Sequence, residues 1–354
     1  MTKTLKWLSI SLLLSSGVTA IWAEETGEPE TDKKRERYLT PEDKRDASLG
    51  REVVDGVVVS WLVETESQRV REDYGDSERT LDTETVYTVQ LAIEVELSEW
   101  AAIELVGESE KELRWQSQLE EGILALEWGD WSADVGRFNV PFGEYYSQFI
   151  SDVTLEAGET RGDSVAIDYN WGDNVEISAY SVRHDDKRVK QDKQDWGLGL
   201  VYQVQQFDAQ FTVAYLSAIV DDDDDILEIY GSEKKLHHAW TASVLLSLEN
   251  WLLTAEALRA QRRGVDLPTS LENFGGLNLE LGFYGLDSFR FSVRRQENRG
   301  VLSSPINQVG WGINWVSNYN FSLTFEQMWN DYASHEELDV IKDREINFGV
   351  VIEF

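Results

Sequence analysis

Histidine, acidic clusters and aromatic–acidic loops are the residues here whose types could do chemistry. The chain has four histidines and no cysteine. His184, His237, His238 and His335 all fall near the ends of extended segments or in the connections between them. A hydrolase needs a histidine within hydrogen-bond reach of a nucleophile or a water. Ser243 and Asp222 lie near His237 and His238 in sequence, but no catalytic motif joins them. The expectation is a protein that is not an enzyme and carries no cofactor. The run Asp221, Asp222, Asp223, Asp224, Asp225 offers carboxylates to a divalent cation. It lacks the glycine and the terminal glutamate spacing of a calcium loop, so a solvated acidic connection is the plainer reading.

A second group is more distinctive. The stretch Gly136 to Asp163, GRFNVPFGEYYSQFISDVTLEAGETRGD, joins two alternating segments and has no alternation of its own. Pro141, Gly143, Gly158 and Gly162 supply turn chemistry. Phe142, Tyr145, Tyr146 and Phe149 offer stacking surfaces, and Glu144, Asp152, Glu159 and Arg161 offer polar contacts. These eight residues are the candidate substrate or constriction site. The loop either folds inward or packs on an outer rim.

The elements that must position this loop are strands. Tyr87, Val89, Leu91, Ile93, Val95 and Leu97 form one face of a segment whose other face holds Thr88, Gln90, Ala92, Glu94 and Glu96. Leu277 to Phe283, Val309 to Trp315 and Phe321 to Phe325 repeat the pattern. A period of two over segments of about ten residues, in long series, marks a transmembrane β-barrel. Short connections such as Trp128-Gly129-Asp130-Trp131 and Trp171-Gly172-Asp173-Asn174 alternate with long charged ones around 67–80, 110–117, 140–161, 185–194, 220–235, 264–273, 298–305 and 333–341. Trp and Tyr flank the short turns, as an interfacial girdle does. The five prolines, Pro29, Pro41, Pro141, Pro268 and Pro305, all fall outside the alternating segments. The reading is an all-β protein, a transmembrane antiparallel β-barrel of about 16 strands (14 or 18 at the margins) with no plug domain. A periplasmic β-sandwich is the alternative, but it predicts no aromatic girdle.

Three regions follow. Residues 1–23 read as a signal peptide, with Lys3 and Lys6 before an apolar stretch and cleavage after Ala23 or Ala20. Residues 24–50 read as a charged periplasmic segment with too little apolar surface to fold alone. Residues 51–354 form the barrel. The final INFGVVIEF alternates to its last residue, so the last strand closes on the first and its apolar parity faces lipid.

The chain holds 66 acidic and 32 basic residues, a net charge of −34, with a mean hydropathy of −0.39. Polar averages are ordinary for a barrel with a wet interior. By parity Glu94, Glu96, Glu104, Glu108, Asp134, Asp168, Glu176, Glu280 and Glu326 point inward, with Arg290 and Arg294 on a later strand and Arg262 nearby. This predicts an acidic wall on the second to sixth strands facing a basic strip on the eleventh to thirteenth.

The loop also carries a family resemblance. A Gly-Arg-Phe strand end, Pro-Phe-Gly at 141–143, Ser-Asp at 151–152, Thr-Leu-Glu at 154–156 and Gly-Glu-Thr-Arg at 158–161 resemble the legiobactin-receptor (LbtU-like) family of outer-membrane siderophore porins. The likeness covers about 50 residues, and the segment after Ser151-Asp152 lacks a proline expected there. It implies import of a ferric siderophore through a plugless barrel in the bacterial outer membrane. The alternative is a general, cation-leaning diffusion porin for small solutes. Expected partners are the lipid bilayer, lipopolysaccharide and, through an aromatic C-terminal Phe354, the barrel assembly machinery. No nucleic-acid partner is expected.

Overall fold

A computed structural model describes the chain from Arg51 onward, apart from Asp55, residues 74–77, 81–83, 112–114, 150–157, 185–193, 221–234, 263–267, 269–270, 287, 302–303, 318–319, 333–341 and Phe354. The expected signal peptide and 24–50 segment, Asp152, the Asp221–Asp225 run, His335 and Phe354 therefore lie outside the described residues.

Sixteen long strands form one sheet. They are β1 Val57–Asp73, β2 Glu84–Ser98, β3 Ala101–Lys111 and β4 Trp115–Trp128. Next come β5 Trp131–Asn139, β6 Arg161–Trp171, β7 Val175–His184 and β8 Asp195–Val204. The second half holds β9 Ala209–Val220, β10 Lys235–Leu248, β11 Trp251–Arg262 and β12 Asn273–Leu286. The last four are β13 Phe289–Arg299, β14 Asn307–Val316, β15 Phe321–Asp331 and β16 Lys342–Glu353. Two short pieces, Arg51–Val54 and Glu78–Thr80, pair along the two ends of β1. Each long strand pairs antiparallel with its sequence neighbour. The sheet then closes, because β16 pairs with β1 from Lys342↔Asp73 to Glu353↔Leu62. Closure leaves no long edge whose backbone groups would be stranded in lipid. β1 runs on through Asp73, so the first long connection is shorter than the 67–80 expected from sequence.

Side-chain parity matches the reading of the terminal strand. Phe348 is 45% exposed and Asn347 beside it is fully buried. Ile346, Phe348, Val350 and Ile352 face outward, and Glu345, Asn347, Val351 and Glu353 face inward. Inside the closure seam, Glu345 accepts hydrogen bonds from Gln68 on β1 (2.7 Å) and Asn347 (2.7 Å). Asn330 on β15 adds a third at 3.3 Å. A polar network inside and an apolar band outside fix the register, because a one-residue slip would exchange the two faces.

Two local features shape the lumen. The β3–β4 ladder shifts between Val106 and Gly107, pairing Val106 with Glu121 and Gly107 with Leu119. Glu120 is the extra residue of this bulge. As a result Glu120 and Glu121, neighbours in sequence, are both buried. The second feature is an apolar core inside the barrel, toward the long-connection end. Tyr180, Val182, Ala214, Leu216, Ile219, Leu236, Ala239, Leu258, Ala260 and Phe274 line the inner wall there, and Phe138, Val140, Phe142 and Tyr145 pack on them.

Candidate functional site: the inward loop and the acidic wall

The loop after β5 turns into the barrel. Val140 N–H donates to Thr160 O (3.0 Å), tying the two ends of the loop together. Gly143 takes φ of 89°, and the chain behind it folds so tightly that a Cβ there would meet the Tyr145 ring at 2.5 Å. Only glycine suits that position. Tyr145 itself has φ of 47°, an uncommon state for a non-glycine residue.

Tyr145 is held there by the wall. The backbone N–H groups of Glu144 and Tyr145 donate to the two oxygens of Glu256 on β11, at 2.9 and 2.7 Å. Glu144 in turn accepts from Thr212 Oγ1 (2.5 Å) and Gln210 Nε2 (3.1 Å) on β9. A second carboxylate repeats the grip further on. Glu280 on β12 accepts from Gln148 N–H (2.6 Å) and Ser147 Oγ (3.2 Å). Gln148 Nε2 donates to Leu252 O (3.4 Å), and Tyr284 Oη donates to Gln148 Oε1 (3.2 Å). Gly282 makes room, since a Cβ would sit 1.7 Å from Gln148 Oε1. Phe149 ends the described segment under Arg294, whose guanidinium lies 4.4 Å from the ring centroid. The loop therefore crosses the inner wall from β5 past β9, β11 and β12 to β13. Hydrogen bonds to a carboxylate contribute about 1.5–3 kcal/mol each, so the two grips outweigh the ordering of a few loop residues.

The aromatic residues serve this packing. Phe142 and Phe149 are 1% exposed, and Tyr145 and Tyr146 are also buried. Burial of a ring of this size stabilises by about 1.5–3 kcal/mol. Their faces meet the wall, and the stacking surfaces expected from sequence are not turned to the lumen. Glu144 is an anchor for the same reason. Glu159 is half-buried at the loop's root, and Arg161 pairs with the bulged Glu120.

Carboxylates of β3 to β7 stand near one another, with Arg161 paired to Glu120 among them. Glu121 is electrostatically coupled to Glu104, Glu159 and Asp134; Asp168 is coupled to Asp134, and Glu176 to Asp168 and Glu144. Carboxylates thus follow one another from β3 to β7 and onto the loop. Glu94 and Glu108 stand inward beside them, Glu108 accepting from Gln90 Nε2 at 2.7 Å, while Glu96 lies exposed near the short-turn end.

The basic strip is different from its expectation. Arg294 Nε donates to Glu280 Oε1 at 2.8 Å, with both side chains fully buried. It also reaches Ser147 and Gln308 (3.3 Å). Arg262 donates to Leu271 O (3.0 Å) and Gly300 O (2.7 Å). Both guanidiniums are thus engaged beneath loops, because a charge taken from water requires a partner. Arg290 lies over the Tyr284 ring at 5.2 Å and near Glu353. Sequence reasoning missed Glu256, Ser147 and Gln148. Glu256 was within reach, as the one carboxylate of β11 and at inward parity.

No known family model matches the sequence, and no curated protein matches it. Solved structures do. The chain is similar to DcaP of Acinetobacter baumannii, an outer membrane channel, at 10% identity and a TM-score of 0.60, over 86% of this chain and 99% of that one. It is similar to Pseudomonas putida OprB at 10% identity and 0.59, over 88% and 96%. Salmonella typhi OmpF, solved in complex with daunomycin, matches at 12% identity and 0.58, over 85% and 98%. The fold is that of the bacterial outer-membrane porins.

Proposed function

We propose that this protein is a cation-leaning diffusion channel for small solutes in the bacterial outer membrane. The observation that carries this reading is the loop 140–149, latched inside the barrel by Glu256 and Glu280 beside the carboxylates of β3–β7. The loop sets the aperture, and the carboxylates raise the local concentration of cations. The shared fold with DcaP, an outer membrane channel, supports the same class. The protein is not an enzyme in this account. Insertion through an assembly machinery that reads Phe354 belongs to the same reading. The test is planar-bilayer recording of the refolded protein. Open channels with a cation preference are expected; a barrel that passes no current overturns the proposal.

Ferric siderophore import is the second reading. Its support is the resemblance of Gly136–Asp163 to the siderophore porins. Buried rings at Phe142, Tyr145 and Phe149 weigh against a stacking site in the described part of the loop. Ferric chelates titrated from one side discriminate the two readings, since saturable block marks a specific site and indifference marks general diffusion.

A further inference from the structure

One register row of the inner wall is built of side-chain amides. The ladder sets Asn278 of β12 opposite Gln296 of β13, and Gln296 opposite Gln308 of β14. Gln308 stands opposite Asn330 of β15, and Asn330 opposite Asp343 of β16. The row lies one inward position beyond Glu280 and Arg294, on the long-connection side of the latched loop. All four amides are buried, none more than 7% exposed. Asp343 is only half-buried, so the row meets the lumen at its β16 end.

The amides are oriented alike. Asn278 Nδ2 donates to Glu280 Oε1 (3.1 Å), Gln296 Nε2 to Asn298 Oδ1 (3.2 Å) and Asn330 Nδ2 to Glu345 Oε2 (3.3 Å). These bonds decide which end of each amide is the oxygen. The three oxygens have no hydrogen-bond partner among the described residues. Leaving a buried acceptor without a donor is costly, so the row calls for donors.

The kind of donor follows from what the row withholds. Its own N–H groups are spent on protein acceptors. A sugar or polyol brings lone pairs with every O–H, and those would find no donor here. An ammonium ion has three N–H donors and no acceptor. Its charge is met at the β16 end, where Glu72 of β1 stands opposite Asp343 and Glu345 is close by. Arg294, beside the row, is already paired with Glu280 at 2.8 Å. Among the described residues no three histidine or acidic side chains are placed to hold a metal ion.

We propose that this row binds a protonated amine, an organic ammonium ion that donates to Asn330 Oδ1, to Asp343 and to the amide oxygens of Gln296 and Asn278 behind them. The inference rests on the cation-leaning channel reading and names the class of solute such a channel favours. Recognition is by N–H donors, so charge alone does not suffice.

Ligand-observed NMR titration of the refolded protein at pH 7 tests this without requiring current. The probes are butylammonium, butyltrimethylammonium, which keeps the charge and loses every N–H, and 1-butanol. The wild type should bind butylammonium at least about tenfold more tightly than either of the others, the step expected when charge-assisted hydrogen bonds are lost. Gln296→Met with Asn330→Leu should abolish the difference. Asn330→Asp, which keeps an acceptor at the same place, should retain it and serves if the double variant does not fold. Equal binding of butylammonium and butyltrimethylammonium, equal binding of 1-butanol, or discrimination that survives the double variant overturns the proposal. The reversal potential of the same preparation in a KCl gradient separates the two readings. Cation preference without N–H discrimination removes the site and leaves the channel, whereas discrimination without cation preference removes the channel reading and leaves the site.

Discussion

The Arg294–Glu280 pair is the most informative contact at the residue scale. It is buried, bridges the barrel wall to the loop, and lets Glu280 hold Gln148 and Ser147. Arg294→Met alone leaves Glu280 buried without its cation and should cost about 3–5 kcal/mol of stability. Arg294→Met with Glu280→Met should recover much of that loss while still releasing the loop. Urea unfolding of the barrel in vesicles measures both. A single and a double variant of equal stability would show that the pair does not act as a unit. This contact was legible in principle, because Glu280 and Arg294 are register partners in the hairpin around Tyr284–Asp287. A sequence reading that lists inward charges strand by strand sees an acid here and a base there. Only the pairing shows that they cancel. Arg290 stands at inward parity on β13, over the Tyr284 ring and near Glu353. Arg290→Gln is therefore expected to raise cation preference, whereas the Arg294→Met/Glu280→Met pair, removing one charge of each sign, should leave the reversal potential nearly unchanged.

The loop is the unit that matters at the element scale, and it is the part the sequence concealed. Alternation reveals strands because lipid on one side imposes a period of two. The segment Val140–Phe149 has no such constraint, so its rings read equally well as facing solute or wall. Its anchors are remote, with Glu256 lying 112 residues from Glu144 and Glu280 lying 132 from Gln148. Glycine positions record the fit. Gly282→Val should push Gln148 off the wall into the lumen and lower single-channel conductance. Deleting Phe142–Phe149 should raise it. Conductances unchanged in both variants would mean that the loop does not set the aperture. The strands themselves were legible nearly throughout, including the even count and the closing role of INFGVVIEF. The stretch Trp131–Asn139 alternates poorly in sequence, and it forms β5, only nine residues long and ending where the loop enters the barrel.

For the whole molecule, the lumen is asymmetric. Wall β3–β7 carries neighbouring carboxylates, the loop crosses β9 to β13, and an apolar core at the long-connection end runs from β4 to β12. Net charge alone would not predict this, since many of the 66 acidic residues lie in connections. Selectivity from inward-facing carboxylates is screened by the salt in the lumen, with a Debye length of about 10 Å at 0.1 M and about 3 Å at 1 M. Cation preference should therefore be strongest in dilute electrolyte and weaken steadily as salt rises. A preference that does not change with salt would locate its source away from these carboxylates.

The measurement that tests the central claim most directly is the reversal potential of single channels in a KCl gradient. It should be compared between the wild type and the triple variant Glu104→Gln, Glu121→Gln, Asp134→Asn. The account predicts a cation-selective wild type and a triple variant whose preference largely collapses at similar conductance. Equal reversal potentials in the two proteins, or anion preference in the wild type, would contradict it.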